Sequence, residues 1–264
     1  MFKLKFNGVE APKFIKVTGV DMGALPSISH NTFKVPSHFG DIDCGVDIGG
    51  RVITVNIKVI KDLEKDDSYY IRELAKWLRG DNFKVSKLEL DESGRYYMAR
   101  CSDNVELKDT IVISEGHITF TASDPRCYGK EELHRVLRNG ESIGGNAYIE
   151  EATRTVTYPF EYRGDLTTLP TINIKFSGDC NSVRVTHVES GLSNFVTKKT
   201  FKSGDTLMID NDRKLTKLNN RVDMTIFDIT ADFIELKEGR NTLKFVFDGV
   251  MANDISFTFT NVYF

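Results

Sequence analysis

The chain has 264 residues, with 35 basic against 38 acidic side chains and a formal net charge of -3. This near balance gives no general electrostatic basis for gripping nucleic acid, and no apolar run reaches the roughly 18 residues a membrane span needs. The length exceeds one typical domain, so two are expected, and a 40% hydrophobic content supplies a core for each. The four cysteines, Cys44, Cys101, Cys127 and Cys180, show no CxxC pairing and no accompanying His-x-His or HExxH cluster, which argues against zinc and for reduced thiols in a cytosolic setting. The opening Met-Phe-Lys-Leu-Lys-Phe alternates charge with apolar residues and lacks a signal-peptide core.

Phe2, Leu4 and Phe6 alternate up to a turn at Asn7-Gly8, and Phe14 to Val17 is expected to return as the second arm of a hairpin. Gly19 to Ser27 reads as loop, Thr32 to Pro36 as a short extended piece, and His38 to Gly50 as a long Gly- and Asp-rich hairpin or loop with Phe39, Ile42 and Val46 set along it. Next comes the best-marked pair of elements. Ile53, Val55, Ile57 and Val59 alternate with polar residues as a half-buried strand. Asp66-Asp67-Ser68 then opens an amphipathic helix over 67–79 with an apolar stripe at Tyr70-Ile71, Leu74-Ala75 and Leu78, closed by Gly80. Trp77 falls on a flank of that stripe, either packed in the core or anchoring a subunit contact.

Strands follow at Val85 to Leu90, Arg95 to Cys101, Val105 to Leu107, Thr110 to Ser114 and His117 to Ala122, with a turn at Glu115-Gly116. Tyr96-Tyr97 sends one ring to each face of its strand. Ser123-Asp124-Pro125 breaks the sheet, which sets a first domain at 1–125. The glycine-rich stretch 126–151 reads as a linker, with two possible helical turns at Glu131 to Arg138. In the remainder, 152–264, eight strand candidates are separated by turn signals: Thr153 to Tyr162, Thr171 to Phe176, Ser182 to Val188, Asn194 to Thr197, Thr206 to Ile209, Phe233 to Leu236, Thr242 to Phe247 and Ile255 to Phe264. Short strands at this spacing point to a β-sandwich.

No catalytic pattern stands out. Asp41, Asp43 and Asp47 offer a carboxylate group for a glycosidase or a calcium loop, but the glutamate a calcium loop needs is missing and a polar turn explains them. Asp210-Asn211-Asp212 reads in the same way. The histidines, His30, His38, His117, His134 and His187, are scattered, there is no Gly-x-Ser-x-Gly, and the glycine runs lack phosphate-loop spacing. No metal, cofactor or catalytic residue is therefore assigned.

A sequence of motifs nevertheless resembles a known family. Lys5-Phe6-Asn7-Gly8, Leu25-Pro26, the segment Val35-Pro36 to Gly40-Asp41, the strand at Ile53 to Ile57, the helix core Arg72 to Leu78, Gly94 to Ala99, and Ile118 to Pro125 occur in the order seen in distal tail proteins of long non-contractile-tailed phages and prophages. So do Leu169 to Ile174, Ile209-Asp210-Asn211 and Glu238 to Leu243 in the second half. Ser37 stands where family members carry a glycine.

The resemblance implies a mainly β protein with two domains. One is an N-terminal sheet or sandwich domain with one helix and a projecting hairpin, six copies of which form a ring; the other is a C-terminal galectin-like β-sandwich on the outside of that ring. It also implies a non-enzymatic hub in the virion, assembled in the host cytoplasm, whose partners are the tail tube protein, a tail-tip protein of the tail-associated lysozyme type, and receptor-binding proteins. Phe39, Ile42, Val46 and Trp77 are the interface candidates. Two other functions compete. One is a carbohydrate-binding sandwich using Tyr158, Tyr162 or Tyr263 in place of the tryptophan its second half lacks; the other is a cell-wall hydrolase built on a converging acidic pair.

Overall fold

The computed structural model describes residues 3–37, 39–62, 64–91, 93–102, 107–108, 113–143, 145–197 and 200–264. The chain forms two compact units, Met1–Gly129 together with Phe264, and Lys130–Tyr263.

In the first unit, β1 (Lys5–Phe6) and β2 (Val9–Glu10) make a tight hairpin over Asn7-Gly8, both at positive φ. The turn is where the sequence places it, but the returning arm is Val9–Glu10. Phe14 to Val17 leads instead into β3 (Ile15–Met22), which takes in part of the expected loop, bulges at Val17/Gly19 and pairs with the strand Arg51–Ile60. β4 (Ile28–Phe33) and β5 (Ile42–Ile48) pair only with each other. β6 (Arg51–Ile60) then alternates strictly, with Ile53, Val55, Ile57 and Val59 buried. After the helix α1 (Asp67–Arg79) come β7 (Ser86–Glu89), β8 (Tyr96–Cys101), β9 (Leu107–Lys108) and β10 (Ile113–Ala122). β10 runs straight through Glu115-Gly116, because Gly116 pairs with Ile57 and Glu115 with Lys58, so the ladder with β6 overrides the local turn signal. Of the strands expected at Val105 to Leu107 and Thr110 to Ser114, residues 105–106 and 110–112 lie outside the described ones.

β8 serves three ladders, with β7 through Tyr97 to Ala99, with β10 through Arg100 and Cys101, and, through Tyr96 and Tyr97, with Cys127 and Tyr128 of the strand that follows. It thereby curls the sheet around a core of Phe6, Leu88, Tyr97, Ile118 and Phe120. Helix α1 closes this core. Its buried face is Tyr70, Leu74, Trp77 and Leu78, a spacing of four, three and one that fits a single stripe. Ile71 is 58% exposed, so the apolar face is rotated from the expected stripe toward Trp77. Gly80 ends the helix at φ 49°, donating its N–H to the Trp77 carbonyl, and an added Cβ would press on the Phe6 ring at 3.2 Å. Among the described residues no helix is long and apolar enough to cross a membrane.

Asp124 shows how the break after β10 is fixed. Its carboxylate accepts hydrogen bonds from the backbone N–H and guanidinium of Arg126 and from the Tyr128 hydroxyl at 2.5 Å. Partial burial pushes this carboxyl up, but those hydrogen bonds and the Arg126 charge outweigh it and hold the carboxyl at about 2. A carboxyl lowered on folding stabilises the fold above its ordinary range near pH 4, and that contribution is lost as pH falls toward 2. Asp124→Asn should therefore lower the urea midpoint of the full chain at pH 7, and the deficit should shrink steadily between pH 4 and 2. A deficit independent of pH would refute the electrostatic reading.

The second unit draws on β11 (Cys127–Arg138), β12 (Glu141–Ser142), β13 (Tyr148–Glu150), β14 (Thr155–Tyr162), β15 (Thr171–Phe176), β16 (Cys180–His187), β17 (Ser193–Val196), β18 (Thr206–Asp210), β19 (Leu215–Leu218), β20 (Arg221–Val222), β21 (Gly239–Gly249) and β22 (Ala252–Tyr263). One sheet runs β22-β15-β18-β19-β20 and the other β13-β14-β21-β16-β17. Their inner faces meet in a core that includes Tyr158, Phe160, Ile172, Ile174, Phe176, Val185, Phe201, Ile209, Phe245, Phe257 and Phe259.

The segment 126–151, read from sequence as a linker, carries three of these strands. Glu131 to Arg138 is extended and not helical, since Val136 and Leu137 are buried in this core and a strand delivers them there. Phe233 to Leu236, expected as a strand, is held instead by single contacts: Leu236 bridges Thr168, and the Ile234 N–H donates to the Asn211 side chain at 2.7 Å.

Candidate assembly surface

Among the described residues of the first unit, β4 and β5 build a large feature that its own core does not absorb. Every described residue from 27 to 49 is exposed. The register pairs Ile28 with Ile48, His30 with Val46, Thr32 with Asp43 and Phe33 with Ile42. An extra residue on β5 between Val46 and Asp43 makes a bulge in which Gly45, at φ 105°, donates its N–H to Asp43 Oδ1 at 2.9 Å. Counting through that bulge puts Ile28, Ile48 and Val46 on one face, and Phe33 and Ile42 on the other, beside the Asn31 to Asp47 hydrogen bond of 2.8 Å. Both faces are thus apolar in patches: Phe33 is 60% exposed, Val46 49% and Ile42 43%, and Phe39 near the tip is fully exposed. Ser37 adopts φ 66°, the left-handed conformation a glycine would take without strain.

The root of the hairpin is tied to its surroundings by hydrogen bonds. Ser27 and Gly50 are joined by backbone and side-chain hydrogen bonds, and Gly49 donates to the Ser27 carbonyl at 2.8 Å. Arg51, at the inward phase of β6 and only 3% exposed, sends its guanidinium to the carbonyls of Gly23 at 2.6 Å and Ala24 at 3.4 Å. Its sequence signal is the alternation itself, in which position 51 shares a phase with Ile53 and Val55. That arginine was not among the expected functional positions, and neither were Ile28, Phe33 and Ile48.

Of the four interface candidates, Phe39, Ile42 and Val46 lie on this hairpin. Trp77 does not: it is 8% exposed, its ring meets Phe6 edge-on at 6.2 Å, and its indole N–H donates to the Val9 carbonyl at 3.1 Å. Its packing and its hydrogen bond are both satisfied within its own unit.

Asp43, Asp47 and Asp210 are engaged in local hydrogen bonds. Asp43 and Asp47 accept the hydrogen bonds just given, and Asp210 Oδ1 accepts the Arg213 N–H at 2.9 Å. Asn211 is completely buried. Among the described residues no group of three or more His, Cys, Asp or Glu is placed to hold a metal ion. His187, buried, lies 2.7 Å from Ser190 Oγ and 3.0 Å from Asn241 Oδ1, while His134 stacks on Phe257 and Phe259. His38 lies outside the described residues. Tyr158 and Tyr162, considered as platforms for a sugar ring, are core residues and offer no face to solvent.

The family model described as the phage tail protein RIFT-related domain matches residues 10–122, and that of the siphovirus-type tail component, C-terminal domain, matches residues 163–263. The crystal structure of the Dit (gp 19.1) protein of SPP1, described as a paradigm of the hub adsorption apparatus in phages infecting Gram-positive hosts, is similar over 100% of both chains with a TM-score of 0.75 at 19% identity. A chain of the phage p2 baseplate in its activated conformation with Sr is similar over 98% of this chain and 97% of that one, with a TM-score of 0.48 at 10% identity. No curated protein sequence matches significantly. Together the two family models cover most of the chain, which belongs to the distal tail protein family of siphoviruses and shares the fold of the SPP1 protein.

Proposed function

We propose that six copies of this chain form a ring through their first units, and that the ring is a hub without catalytic activity joining the tail tube to tail-tip and receptor-binding proteins. The observation that carries this reading is the hairpin. A segment of about twenty residues with isoleucine, valine and phenylalanine open to water on both faces is unfavourable by about 25 cal/mol per Å² of apolar surface left wet. A neighbouring copy that covers it recovers that energy. A ring needs a heterologous contact, in which one surface of each copy meets a different surface of the next, and a hairpin standing off its own core suits one half of such a contact. Phe39, Ile42 and Val46, with Ile28, Phe33 and Ile48, are the proposed contact residues; Trp77 acts only by holding α1 in place. The regions 1–125 and 152–264 are the proposed ring-forming and outward-acting domains. The protein would be incorporated into virions assembled in the host cytoplasm.

Light scattering on the full-length protein across a range of concentrations tests this. A species of six times the 29.9 kDa chain mass is expected at high concentration. A strict monomer at every concentration would overturn the ring.

A further inference from the structure

The outer face of the β22-β15-β18-β19 sheet carries a groove of about 360 Å³, and nothing in the ring proposal uses it. That volume falls within the range of small-molecule sites. Its floor is a row of cross-strand neighbours, Ser256, Asn173, Met208 and Lys217, in successive register across the four strands. The next row along is Asp254, Lys175 and Thr206, also in register.

Several of these groups are already engaged. Asp254 accepts the Asn139 N–H at 2.9 Å, and Thr206 bonds to the Asn219 side chain. Lys175, Lys217, Asn173 and Ser256 have no side-chain hydrogen bond or ion pair among the described residues. Lys175 and Lys217 stand two strands and two residues apart, so their Cα atoms are separated by about 12 Å, a span their flexible stems can close on one ligand. Met208 and the lysine stems supply apolar surface, and no aromatic side chain lines the groove.

The geometry points to a binding site for an anionic saccharide unit, a sugar carrying phosphate or carboxylate. The two ammonium groups hold the anion, Asn173 and Ser256 bond the hydroxyls, and Met208 lies under the sugar carbons. With no aromatic ring to stack on, a neutral sugar loses the main source of affinity that proteins offer it. Without the anion the lysines gain nothing. The site does not depend on the ring and can fail without affecting it.

Isothermal titration of the full-length protein with glucose 6-phosphate at low ionic strength tests the assignment, with glucose, inorganic phosphate and a hexaglutamate peptide as separate ligands. Glucose 6-phosphate should bind more tightly than the other three. Binding should fall roughly tenfold or more in Lys175→Ala/Lys217→Ala, as the loss of charge-assisted hydrogen bonds predicts. Asn173→Asp, which adds a repelling charge while keeping both lysines, should weaken it too. Lys244→Ala, an exposed lysine on the opposite sheet, should leave it unchanged. The assignment is overturned if glucose 6-phosphate does not bind, if the double variant binds it equally well, if inorganic phosphate alone binds as tightly, or if the peptide binds more tightly.

Discussion

Full-length protein carrying Phe33→Asp and Val46→Asp should remain folded and run at the mass of one chain where the wild type forms the ring. The two positions lie on opposite faces of the hairpin, and both are exposed in the single chain, so a carboxylate at either costs the isolated fold almost nothing. In an assembly that covers both faces, each new carboxylate would be buried without a partner, at a cost of about 3–5 kcal/mol. Since each 1.4 kcal/mol is a factor of ten, the pair should weaken every contact by at least about 10⁴-fold. Trypsin gives a second readout. Lys34 is exposed beside the hairpin's tip, so cleavage after it should be rapid in the variant and suppressed in the proposed wild-type ring. If the variant retained the wild-type mass, the hairpin would not be the contact.

The largest effect on stability should come from Asn211→Ala. Asn211 donates through Nδ2 to the Pro170 carbonyl at 2.7 Å, and its Oδ1 accepts from Asn194 Nδ2 at 2.9 Å and from the Ile234 N–H at 2.7 Å. Asn194 Nδ2 also donates to the Asp232 carbonyl at 2.7 Å. One side chain thus ties together the entry to β15, the strand β17 and the segment before Leu236. Alanine leaves the buried Ile234 N–H unpaired, at a cost of about 1–3 kcal/mol, removes the shorter of the two hydrogen bonds to the Pro170 carbonyl, which keeps that from the backbone N–H of residue 211, and weakens the hold on Asn194. A total of about 2–5 kcal/mol is a large share of the 5–15 kcal/mol that typically holds a protein folded. Asp212→Ala, one residue on and exposed, should be close to neutral. Equal urea midpoints for the two variants would show that the buried network contributes nothing.

Local pattern and fold agree where one element meets one environment. The β6 alternation and helix 67–79 are visible in the sequence because each buries one face against a single core. The pattern misleads where a distant partner decides. Gly116 looks like a turn until it pairs with Ile57, Glu131 to Arg138 looks helical until Val136 and Leu137 find the sandwich core, and the helix stripe turns toward Trp77 because Phe6 and the Val9 carbonyl lie on that side. The proposed assembly surface was legible only in part, for a related reason. A hairpin open on both faces shows no in-out alternation, so Phe39, Ile42 and Val46 stand out as apolar residues in a Gly-Asp segment while Ile28, Phe33 and Ile48 carry no signal of their own. The groove on the second unit leaves no trace in sequence order, because Asn173, Met208, Lys217 and Ser256 become neighbours only through strand register.

The burial of Trp77 also bears on how the protein's unfolding can be observed. It is the only tryptophan in the chain, it sits in the first unit, and its indole is shielded from water and hydrogen-bonded to the backbone. Intrinsic fluorescence excited at the red edge of the absorption band therefore reports on that unit alone, while the far-ultraviolet dichroism of the strands reports on both. Wherever the two signals separate along a denaturant series, the units are melting independently, and the fluorescence curve isolates the half of the molecule that bears the hairpin.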